Sequence, residues 1–112
     1  MSLLEDKANK IVAEAKGENP VVFVDPITIL TVISVIVQIV KLYQSCKKTP
    51  EEVKKSMESP NWIERWRLKR IVRKSIKSNE DVNGIVNGIL KQGKDITVEE
   101  IVQLQKESEG AI

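Results

Sequence analysis

The chain has no histidine, a single cysteine, and aromatic residues at only 4% of its 112 positions. Histidine is the side chain that most often moves protons near neutral pH, so its absence excludes His-based acid–base chemistry. Cys46 has no partner for an intrachain disulfide, and zinc sites built from Cys and His are excluded with it. A lone thiol suits a reducing compartment or indifference to redox. The five glycines form no phosphate-binding loop. Serines and threonines have no His or buried Lys to activate them. The carboxylates gather at helix starts, where they serve caps and the helix dipole. The residues thus read as a non-enzyme with no metal, no cofactor and no small-molecule substrate.

Strand signals are equally scarce. "VVFV" at 21–24, held between Pro20 and Pro26, reads as an extended connector. No secretory signal is expected, because the apolar run starts late and its upstream flank is acidic. What remains is helical. The length admits one all-α domain of about five helices. Ser2 and Glu5 predict a capping box for an amphipathic N-terminal helix over 1–17, with Gly17 as its stop. A linker over 18–25 leads to Asp25-Pro26, an N-cap and first helical residue for a long apolar helix over about 26–46. Thr49-Pro50 and Ser59-Pro60 open helices within a basic segment over 49–77, the main one spanning about 60–77. Ser78 to Glu107 reads as an αα-hairpin. Its first helix carries the stripe Val82, Ile85, Val86, Ile89, Leu90 and ends at Gly93. Thr97 and Glu100 predict a capping box for its second, with Val98, Ile101, Val102 and Leu104 inward. The last residues, 108–112, are expected to fray.

The formal charge of +2 hides a segregation. Residues 1–40 carry three Lys/Arg against five Asp/Glu, residues 41–77 twelve against four, and residues 78–112 three against seven. A basic middle lies between acidic ends.

In "DPITILTVISVIVQIVKLYQSC" the polar residues Thr31, Ser34, Gln38, Lys41 and Ser45 recur at steps of 3, 4, 3 and 4. They form one narrow seam on an otherwise apolar cylinder. Three surroundings satisfy that pattern. The helix can meet lipid, it can be the central helix of a bundle with the seam as its strip of exposure, or it can pair with copies of itself along the seam. In the first and last of these, Thr31, Ser34, Gln38 and Lys41 are a helix-contact seam. The rise from Pro26 to Tyr43 is about 27 Å, just short of the ~30 Å hydrocarbon core.

"SPNWIERWRLKRIVRKSI" follows. From Glu64 to Lys77 it holds seven basic residues and one acidic residue. Trp62 and Trp66 stand one turn apart, on the side expected to hold Val72 and Ile76. Arg67, Arg70, Lys74 and Lys77 make a basic stripe, while Lys69 and Arg73 interrupt the apolar arc. Trp anchors with Lys/Arg flanks suit an anionic membrane interface. The same set suits an acidic protein or, less well, a nucleic-acid backbone, and the bland alternative has both Trp plugging the core. Trp62, Trp66, Arg67, Arg70, Lys74 and Lys77 are the candidate surface.

Over about residues 25–77, this pairing of an apolar helix with a Pro-started basic helix resembles small virion-associated proteins of tailed bacteriophages. The likeness is one of style, without a diagnostic motif, so no functional residue is carried over. It implies a particle component that contacts the host envelope. The expected function is a non-enzymatic structural or membrane-active component of a larger assembly, partnered by copies of itself or other assembly proteins, in a virion or at a membrane. The alternative is a cytoplasmic helical adaptor that binds an acidic partner or nucleic acid through the Trp-containing helix.

Overall fold

Capping chemistry sets where the helices begin in the computed structural model, which describes residues 2–18, 26–76 and 79–110. Among these residues there are six helices rather than about five: α1 (Leu3–Glu18), α2 (Pro26–Ser45), α3 (Pro50–Glu58), α4 (Trp62–Ser75), α5 (Asn79–Asp95) and α6 (Val98–Gly110). The two helices of the basic segment, α3 and α4, each begin at a complete capping box. Thr49 Oγ1 accepts from Glu52 N while the Glu52 carboxylate accepts from Thr49 N, both at 3.2 Å. Asn61 and Glu64 repeat the exchange at 2.9 and 3.2 Å. Asn61 therefore displaces Ser59 as the N-cap of α4, and the helix starts at Trp62 instead of Pro60. It stops at Ser75, short of the expected 77. The expected caps Asp25 and Ser78 and the connector at 21–24 lie outside the described residues.

The Thr97–Glu100 box forms as expected, at 3.1 Å in both directions. That of α1 is shared with a distant helix. Ser2 Oγ accepts from Glu5 N at 3.2 Å, but the N–H groups of Leu3 and Leu4 donate to the Glu107 carboxylate of α6, at 3.1 and 2.9 Å. Helix α6 continues past Glu107 to Gly110, and Ser108 is fully buried rather than frayed.

Gly93 does not end α5, which runs on to Asp95. A Cβ built on Gly93 would lie 2.8 Å from the Met57 carbonyl oxygen, and one on Gly88 would lie 2.7 Å from that of Ile11. These glycines let the backbones of α3 and α1 approach α5 more closely than any side chain would permit. Helix α1 lies along α5, with Ala8, Ile11, Val12 and Ala15 buried. The expected stripe of α5 faces the same core: Val82, Ile85, Val86 and Ile89 are buried and Leu90 packs against them. From α6, Ile101 and Leu104 are buried, while Val98 and Val102 are only half-buried.

Helix α2 contributes Val32, Val35, Ile36 and Ile39, an i, i+3, i+4, i+7 set that marks one buried face. The apolar side that lipid would have taken is taken by α1, α4 and α6. No helix among the described residues is long and apolar enough to cross a membrane, which corrects the spanning alternative for this segment.

Candidate docking surface on the basic helix

Helix α4 is held to the bundle by one side only. Val72 is buried, and Leu68, Ile71 and Ile76 pack against the core beside it. The two tryptophans do not join them. Trp62 is 77% exposed and Trp66 56%, with Ile63 at 41%. The expectation that the tryptophans share a side with Val72 and Ile76 is corrected by burial, since Val72 is inside and both tryptophans are outside. At 100° per residue Leu68, Ile71 and Val72 centre the inner face, Val72 stands about 80° from Trp62 and about 120° from Trp66, and Ile76 lies beyond the end of the helix at Ser75.

On the outer side Trp66, Lys69, Arg70, Arg73 and Lys74 line a single shallow hollow. The Arg70 guanidinium carbon stands 5.5 Å from the Trp66 ring centroid, a cation–π contact that holds the two together. Of the candidate surface, the structure thus unites Trp66, Arg70 and Lys74, with Trp62 exposed one turn earlier on the same helix. Arg67 is exposed but lines a different cavity, on the side where α4 meets the bundle, and Lys77 lies outside the described residues. Lys69 and Arg73, read from sequence as interruptions of an apolar arc, belong to the surface. Their positions three and seven residues after Trp66 were the signal that places them there.

The seam of α2 lies on the outside of the chain. Ser34 and Gln38 are exposed, Thr31 and Lys41 half-buried. Gln38 Nε2 donates to both the carbonyl and the hydroxyl of Ser34, each at 3.3 Å, so the strip is partly satisfied within itself. Leu30 stands beside it, 65% exposed.

Behind α4 a polar cluster closes the junction of α2, α3 and α4. Helix α2 ends with Lys47 in the left-handed region (φ 57°). Lys48 N donates back to Tyr43 O at 3.4 Å and Lys47 N to Gln44 O at 3.0 Å, a Schellman pattern. That turn folds Lys48 over Tyr43, its Nζ 5.4 Å from the ring centroid. The same ammonium donates to Ser56 Oγ at 2.8 Å and stands 3.7 Å from Glu64 Oε2. Burial, and then the adjacent Glu64 carboxylate, push the Tyr43 hydroxyl up to about 12. Sequence reading did not bring Tyr43, Lys48, Ser56 and Glu64 together, because the turn that gathers them depends on a lysine in a conformation usually left to glycine.

No protein-family model, curated protein or solved structure matches the chain.

Proposed function

We propose that the protein is a non-enzymatic component of a larger assembly that docks through α4 on an anionic membrane surface, lying in the interface without spanning it. The observation carrying this reading is the exposure of Trp62 and Trp66 on a helix whose outer hollow joins Trp66 to Lys69, Arg70, Arg73 and Lys74. An indole is stabilised where its ring is in the headgroup layer and its N–H reaches water. Each Lys or Arg held near an anionic leaflet adds about 1 kcal/mol. A duplex phosphate backbone would use the basic rim without the exposed Trp62, Ile63 and Trp66, whereas a single strand could stack its bases on the indoles and is told apart from lipid by the vesicle test. The virion placement rests on the resemblance of residues 25–77 alone.

Vesicle flotation tests the proposal. The chain should bind phosphatidylcholine vesicles containing phosphatidylserine and not pure phosphatidylcholine, with a blue shift of the fluorescence of its two tryptophans. Arg70→Glu with Lys74→Glu should weaken binding at least about thirtyfold. Binding unchanged by charge reversal and by salt would sink the reading. Retention of the chain by an acidic protein or a nucleic acid, without vesicle binding, would favour the adaptor instead.

A second reading, contact between copies along the α2 seam, has the exposed Leu30 beside Ser34 and Gln38 in its favour. If copies meet there, Leu30→Lys lowers the association state in sedimentation velocity. If the profile does not change, the seam is a solvated strip.

A further inference from the structure

The hollow on the outer side of α4 has a chemistry narrower than its charge. Lys69, Arg70, Arg73 and Lys74 line it together with Trp66, and all four cations are exposed. At about 100° and 1.5 Å per residue, they fall within an arc of about 140° and an axial stretch of about 7.5 Å, less than one and a half turns. Everything they present is a donor. An ammonium has three N–H donors and a guanidinium five, and neither has an acceptor. Among the described residues no carboxylate lines the hollow, and none of the four cations takes part in an ion pair. Glu64, the one acid of α4, is turned instead to the junction with α2 and α3, where it accepts from Asn61 N and stands 3.7 Å from Lys48 Nζ.

Like charges four residues apart on a helix repel, and Lys69 with Arg73 and Arg70 with Lys74 are two such pairs. Only Arg70 is held in place, over the Trp66 ring at 5.5 Å. A ligand relieves this crowding best when it brings more than one negative charge on a single group and no cation of its own.

We propose that the hollow binds the phosphate monoester of a lipid headgroup, in preference to diester headgroups at the same surface charge. This rests on the docking of α4 at a membrane and names the lipid it selects. A phosphate monoester carries a charge of about −1.5 to −2 near neutral pH and three strong acceptor oxygens. The donor-only lining matches it, and the guanidiniums of Arg70 and Arg73 can each grip two oxygens in parallel. Phosphatidylserine divides its negative charge between a diester and a carboxylate, and its ammonium would face four cations with no acceptor. A dissolved phosphate has the same chemistry as the lipid group. The lipid is favoured because the hollow shares Trp66 with an exposed apolar stretch, Trp62 and Ile63, that a dissolved ion leaves unused.

Flotation with two sets of phosphatidylcholine vesicles tests this, one carrying phosphatidic acid and the other phosphatidylserine, matched in zeta potential. The full chain should bind the phosphatidic acid set at least about fivefold more tightly. Arg70→Lys with Arg73→Lys keeps every charge on an exposed face. It should bring the ratio of the two affinities close to one, because an ammonium cannot grip two oxygens at once. Glycerol 3-phosphate, titrated without vesicles, should show no saturable binding below millimolar concentrations. Equal binding of the matched sets overturns the headgroup assignment and leaves peripheral docking standing, whereas binding to neither set overturns both. A preference that survives the double lysine variant overturns the assignment to this hollow. Submillimolar binding of glycerol 3-phosphate, or tighter binding of a single-stranded oligonucleotide than of either vesicle set, overturns lipid as the occupant.

Discussion

Tyr43 is the chain's single tyrosine, so its ionisation can be read without overlap from another. Burial and the Glu64 charge raise it from 10.0 to about 12. A raised value means that the neutral phenol is favoured by the fold. That contribution is complete below pH 10 and is lost as the pH climbs through about 12. The tyrosinate difference absorbance should therefore appear near pH 12, and Glu64→Gln should move it down; a midpoint near 10 in the folded protein would remove Glu64 from the cluster. Carboxylates act with the opposite sign. Burial alone would raise Glu107, but hydrogen bonds from Leu4 N, Gln103, Leu3 N and Ser2 outweigh it and hold Glu107 below its ordinary 4.5. At Glu100 burial is likewise outweighed, there by Lys7 and Thr97. Lys7 is itself buried and pairs with Glu100 at 3.0 Å. The stability these two acids lend is full above pH 4.5 and fades as pH falls through their lowered folded values. Glu107→Ala should cost about 1 kcal/mol at neutral pH, the usual contribution of an N-cap acceptor. It should also flatten the acid limb of a urea-midpoint profile between neutral pH and 3. An unchanged limb would mean that Glu107 does not cap α1 in solution.

At the scale of elements, local signals were legible and long-range ones were not. The helix start at Thr49-Pro50, the Thr97/Glu100 box and the five-residue stripe of α5 stand in the structure where the sequence puts them, because each depends on neighbours within one or two turns. Glu107 capping a helix that starts more than a hundred residues earlier leaves no local trace. Gly93 carries the right residue for a helix stop, yet it meets a second helix and becomes a packing contact. The same ambiguity gives a test. At Gly88 an added methyl would press on the backbone of α1, which cannot swing aside as a side chain does. Gly88→Ala should destabilise by about 1–3 kcal/mol despite the better helix propensity of alanine. Gly110→Ala, with nothing within 4 Å, should be neutral or slightly stabilising. Denaturant midpoints decide between them; equal effects would mean that α1 and α5 do not meet at this distance.

For the whole molecule, the charge segregation read from sequence becomes geometry. The basic middle of the chain is concentrated on α4, which rests on α2 and α5. The acidic residues Asp6, Glu99, Glu100 and Glu107 gather in a separate hollow between α1 and α6. The surroundings of α2 were the hardest to read, because one apolar pattern serves lipid, bundle and self-pairing alike. What separates them is the phase of the core: Val32, Val35, Ile36 and Ile39 find partners inside the chain, and the seam is left outward. With that apolar face occupied, the membrane hold proposed above would fall to α4, through two indoles and a handful of screened charges. Attachment of this kind is peripheral. Membranes loaded with the protein should release it into the supernatant on washing with high salt, and more completely with alkaline carbonate, while a spanning helix stays in the pellet through both. Trp62→Ala with Trp66→Ala should make release easier at every salt concentration, since the charges then act without their apolar anchor. Protein retained through carbonate would mean that α2 leaves the bundle and enters the bilayer, and the docking assignment of α4 would give way to insertion.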